Sequence, residues 1–102
     1  MADVARVVGT AGGPRAFVTH ALHAECERTA RTAGQLLAEV EACGGLVPFA
    51  AVIVADRLVI EALGDTPGVA DLSLALDHGR ALLVAMDAWE LAGVVAGMAV
   101  SP

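Results

Sequence analysis

Residues 46–63 read LVPFAAVIVADRLVIEAL, and whether they form a helix or a hairpin decides the fold. Pro48 near the start and Gly64 just past the end punctuate a helix of about four turns, because proline is pre-shaped for the first helical turn and glycine ends helices readily. Against this, Val52-Ile53-Val54 and Leu58-Val59-Ile60 are rich in β-branched residues, which suit strands. A hairpin over residues 51–63 would have to turn at Asp56-Arg57. A two-residue hairpin loop needs positive φ, which Asn-Gly or Asp-Gly supplies and Asp-Arg supplies poorly. The segment is therefore read as a helix, residues 48–63, with an α/β fold carrying the hairpin as runner-up. Apolar on nearly every side, this helix should be the central, most buried element.

Working towards the N-terminus, Gly44-Gly45 is a strong helix stop and Pro14 a good helix start. Between them, Val18, Leu22, Cys26, Thr29, Ala33, Leu37 and Val40 recur at three- and four-residue spacing, which predicts one long helix over 14–43. Gly34 weakens that helix by roughly 1 kcal/mol relative to Ala, and Glu27 and Arg31 have the spacing of an i,i+4 ion pair. Residues 1–13 end in Gly9-Thr10-Ala11-Gly12-Gly13 and read as a flexible N-terminal arm or a short docking helix. Towards the C-terminus, Asp65-Thr66-Pro67-Gly68 reads as a turn. A third helix follows over 69–100, with Leu74, Ala75, Leu82, Met86 and Trp89 on its apolar face and Ser73, Asp77, Arg80 and Asp87 on its polar one. Gly79 is a point where it could split. The expected fold is thus all-α: one domain over 14–102, a small bundle of three main helices with antiparallel neighbours.

Composition limits what such a domain can bind. The chain has 102 residues, of which 57% are hydrophobic, and a formal net charge of −6. Its basic residues are six scattered arginines, with no lysine. Neutralising nucleic-acid phosphates takes a basic patch, and an anionic membrane surface asks for the same, so neither partner is expected. Phe17, Phe49 and Trp89 are too few for a base-stacking platform. The longest uncharged run, 42–55, contains Gly44, Gly45 and Pro48 and falls short of the roughly 20 apolar residues of a spanning helix. Residues 1–8 carry Asp3 and Arg6 and lack the layout of a secretory leader, so the expected location is cytoplasmic, with Cys26 and Cys43 as reduced thiols. The surplus of apolar surface on the central helix, and the small residues Ala92-Gly93 and Ala96-Gly97 spaced four apart, favour a homodimer.

Three groups of residues could carry chemistry. Asp56 shares a helical face with Phe49, Val52, Ile53 and Ile60. A carboxylate buried there would be tuned for acid/base work; otherwise Asp56 pairs with an arginine such as Arg28 or Arg80, or sits at an exposed seam. His78 shares a face with Leu74, Ala75, Leu82 and Trp89. Together Asp56 and His78 would suit proton transfer in a small apolar pocket, with Asp71 and Trp89 as further ligand-binding residues. His20, His23 and Glu27 follow a His-x2-His-x3-Glu spacing that could offer ligands to zinc or iron, though a fourth ligand would have to come from another helix or subunit. No phosphate-binding glycine loop or serine-nucleophile elbow is present, and Ser73 and Ser101 are the only serines. No cofactor is expected. The leading expectation is a non-catalytic interaction or assembly protein acting as a homodimer. The alternatives are a small enzyme or small-molecule-binding protein using Asp56 and His78, and a metal-binding helical protein using His20, His23 and Glu27.

Overall fold

The computed structural model describes residues 4–63 and 69–100, without the side chains of residues 63 and 69–71. The expected turn at 65–68 lies outside them. Among the described residues the chain is all-α, with six helices where the sequence reading has three. Helix α1 is Val4–Ala11, α2 Pro14–Arg28, α3 Ala33–Ala42, α4 Leu46–Leu58, α5 Val69–Leu83 and α6 Ala88–Ala96. Two-residue strands β1, Arg31–Thr32, and β2, Ala99–Val100, pair in parallel, Arg31 opposite Ala99.

The helix expected over 48–63 forms, beginning two residues earlier at Leu46, and the hairpin does not. Its last turn, Val59–Leu63, widens to π-helical geometry. The helix is also the centre of the molecule: Ala50, Ala51, Val54 and Leu58 have no exposed surface. Its most extensive contact is with α5. Small residues make that possible. Gly79 is a point of close approach, and α5 runs through it unbroken.

The two long helices break elsewhere. The expected helix over 14–43 is interrupted at Thr29–Thr32, where Thr32 caps α3. Its Oγ1 accepts a hydrogen bond from the Gln35 amide at 3.2 Å, and the Gln35 side chain accepts one from the Thr32 amide at 3.0 Å. This reciprocal capping box satisfies two amides that a helix start leaves without partners. The expected helix over 69–100 breaks at Val84–Asp87, where the Asp87 carboxylate accepts from the Glu90 amide at 2.8 Å. Each break resets the helical phase. Leu36 is therefore buried in α3 while Leu37, placed on the stripe by extrapolation, is 60% exposed. Likewise Leu91 and Val95 are buried in α6 and Trp89 is not.

At the N-terminus the short-helix reading is the one seen. Helix α1 buries Val4 and Val8 against α2. The turn between them uses Gly12 and Gly13 at φ of 108° and 109°, a left-handed conformation that glycine reaches without strain. The C-terminal segment returns to the middle of the chain, where β2 meets β1 and the Cys26 thiol bonds the Met98 carbonyl oxygen at 3.4 Å.

Candidate functional site

A cleft of about 430 Å³ opens beside α4, with α2, α3 and α5 supplying its other walls. Its apolar floor comes from the α4 side chains Phe49, Ile53 and Ala55, together with Val59, and from Ala75 and Leu76 of α5. Half-exposed Val52 and Leu72 lie at its edge. Its charged lining residues are Glu25 and Arg28 of α2, Arg31 of β1, Glu39 of α3 and Asp56 of α4.

Four of those five charges form one network. The Glu25 side chain is only 8% exposed and receives hydrogen bonds from Arg28 and, at 2.9 Å, from Arg31. Arg31, itself 12% exposed, also donates from Nε to Glu39 at 2.5 Å. Its Nη1 is buried without a partner. The bond to Glu25 raises the pKa of Arg28, and the bond to Glu39, with a further one to Glu25, raises that of Arg31. The network ties α2 to α3 across the break at 29–32. The expected Glu27–Arg31 pair does not form, because the break turns Arg31 away from the α2 helical phase, and Glu27 is exposed.

Glu25, the buried carboxylate, was missed in the sequence reading. The signal was available: Val18, Ala21, Leu22 and Glu25 follow helical spacing on one buried face. Asp56 is exposed on the cleft wall, the exposed-seam alternative rather than the buried one. Among the described residues it has no hydrogen bond or ion pair. Arg28 is near enough to feel its charge but bonds Glu25, and Arg80 lies near Asp77 at 3.7 Å. The ambiguity has a physical cause. A helix apolar on every side has no stripe to orient it, and the face of Val52, Asp56 and Ile60 turns outward.

Of the other expected site residues, none whose side chain is described joins Asp56 in the cleft. His78 is half-buried on α5 and does not line the cleft. The side chain of Asp71 lies outside the described residues. Trp89 is 89% exposed on α6, away from the apolar face assigned to it. His20, His23 and Glu27 are all exposed on α2. His20 and His23 share a shallow hollow with Arg15 and Glu90, which form a salt bridge across it. Among the described residues no group of three or more His, Cys, Asp or Glu side chains could hold a metal ion.

A second feature lies on α6. Trp89, Ala92, Gly93 and Ala96 follow i, i+3, i+4, i+7 spacing and are all exposed. Val84, in the preceding turn, is 85% exposed. A Cβ built on Gly93 would meet nothing within 4 Å. Among the described residues, nothing packs on this small-residue surface at Gly93, and it is left open.

Comparison with protein-family models, with curated proteins and with solved structures finds no match. Among the described residues no single helix is long and apolar enough to cross a membrane.

Proposed function

We propose that this chain is a non-catalytic assembly protein that acts as a homodimer, joined through the α6 face. The observation that carries the reading is Trp89, the chain's single tryptophan, standing 89% exposed beside a smooth track of Ala92, Gly93 and Ala96. Exposed tryptophan is costly to hydrate and dominates binding energy where interfaces form. Small residues beside it let a second helix approach closely.

A second copy of the same face is the occupant that fits. The four residues carry no formal charge, while the chain carries −6. Two such chains repel wherever their acidic surfaces meet, and an uncharged face is where they can join with least repulsion. A two-fold interface brings the same patch onto itself, so the Trp89 ring of one chain would lie over the Gly93 region of the other. We assign the dimer to the cytoplasm, in keeping with the free thiols of Cys26 and Cys43. Acid/base chemistry by Asp56 and His78 draws no support, since the cleft holds one without the other.

The test is the solution mass. Light scattering at micromolar concentration should give twice the chain's 10.3 kDa. Trp89→Glu and Gly93→Leu should each give the single-chain mass with an unchanged helical circular dichroism spectrum. A monomeric wild type, or variants that remain dimeric, would overturn the reading.

A further inference from the structure

The cleft beside α4 has a charge pattern that selects a ligand class. Its arginines are already committed: Arg28 bonds Glu25, and Arg31 bonds both Glu25 and Glu39. An anionic ligand would have to strip one of these guanidiniums from its carboxylate. The buried Nη1 of Arg31 offers nothing either, because an atom without accessible surface cannot be reached from the cleft. Asp56 is different. It lines the cleft, is exposed, and has no hydrogen bond or ion pair among the described residues. It stands one turn from Ile53 and Val52 on the same helix, over an apolar floor.

We propose that the cleft binds a small organic ammonium ion, its apolar body on the floor beside Ile53 and its charged head on the Asp56 carboxylate. Pockets for small molecules have this form, a mostly apolar concavity of a few hundred Å³ with a few polar groups that fix orientation. Within the cleft, two cations face three carboxylates, so one negative charge is left over; Arg28 feels the charge of Asp56 but donates its hydrogen bonds to Glu25, which leaves the Asp56 oxygens open to a cation. The field of a chain with net charge −6 adds to the preference for a cation and speeds its approach. The N–H groups of an ammonium ion supply charge-assisted hydrogen bonds, the stronger kind, to an acceptor that lacks any.

Three probes with the same tail separate the contributions: hexylammonium, hexan-1-ol and hexanoate, each titrated into the 15N-labelled chain. Hexylammonium should shift the amides of Val52, Ile53 and Ala75 saturably and bind about tenfold more tightly than hexan-1-ol, with hexanoate weakest. Asp56→Asn should erase the advantage of hexylammonium over hexan-1-ol while leaving hexan-1-ol binding unchanged, and Asp56→Ala should do the same. Hexanoate binding as well as hexylammonium, an absence of saturable shifts at the cleft, or an ammonium preference that survives both substitutions would overturn the proposal.

Discussion

Gly79 on α5 lies so close to Ala51 on α4 that a Cβ at position 79 would sit 2.9 Å from the Ala51 carbonyl oxygen and 3.3 Å from the Ala55 amide nitrogen. Both atoms are backbone, so neither can swing aside. Glycine inside a helix ordinarily weakens it, and replacement by alanine ordinarily gains up to about 1 kcal/mol. Here the gain is overridden, because an added methyl forces the two central helices apart. Gly79→Ala should destabilise the fold by about 1–3 kcal/mol, the usual range for overpacking. Gly34→Ala in α3 is the control, since a Cβ there meets nothing within 4 Å, and it should be stabilising by up to about 1 kcal/mol. Urea midpoints of the two variants should move in opposite directions. A stabilised Gly79→Ala would mean that the α4–α5 crossing is looser than described.

The break between α2 and α3 depends on Thr32. Thr32→Ala removes the acceptor for the Gln35 amide and should cost about 1 kcal/mol, while Thr32→Ser should retain most of the stability. Thermal unfolding of the three proteins checks this, and equal midpoints for all three would show that the cap contributes nothing.

Thr32-x-x-Gln35 is the sequence signature of a capping box, so this break was legible, as was the one before Asp87-x-x-Glu90. The apolar stripe over 14–43 runs straight through the first signature, and only the reset of helical phase at the break takes Leu37 off the buried face. What could be read reliably was the class of the fold and the helical state of 46–63, where proline and glycine mark the ends. What could not be read was how α4 is rotated. Its apolar residues surround it, so the exposure of Asp56 depended on which neighbours α4 met, and that information lies in other segments of the chain.

Asp56 itself supplies a direct check on that rotation. A buried, paired aspartate replaced by leucine leaves its cation stranded, at a cost of about 3–5 kcal/mol. An exposed aspartate without an ion pair leaves nothing stranded. Asp56→Leu should therefore stay within about 0.5 kcal/mol of wild type, as surface substitutions generally do. Denaturant midpoints of wild type, Asp56→Asn and Asp56→Leu should nearly coincide. A loss above about 2 kcal/mol in Asp56→Leu would show that the carboxylate is paired in solution and that this face of α4 is packed.

The penalty expected of a buried carboxylate belongs to Glu25. Arg31, 12% exposed, relies on Glu25 and on the half-exposed Glu39 to offset the loss of its hydration. It cannot escape by releasing its proton. Its hydrogen bond to Glu39, and then the one to Glu25, raise its pKa above the ordinary guanidinium value. A folded-state pKa above the unfolded one contributes stability that is present below the unfolded value and is lost only as pH rises through the folded one. Near neutral pH the guanidinium therefore stays charged whatever happens to Glu25. Glu25→Leu should then cost about 3 kcal/mol, at the low end for a broken buried pair because Glu39 remains. Replacing both partners, Glu25→Leu with Arg31→Met, should recover most of that loss, since an apolar pair of similar volume leaves no charge to solvate. Arg28→Ala should leave the midpoint unchanged, because the Arg28 guanidinium is solvated on its open side. The double-mutant cycle in urea is the measurement. Additive losses from Glu25→Leu and Arg31→Met would show that the two side chains do not interact in the folded chain.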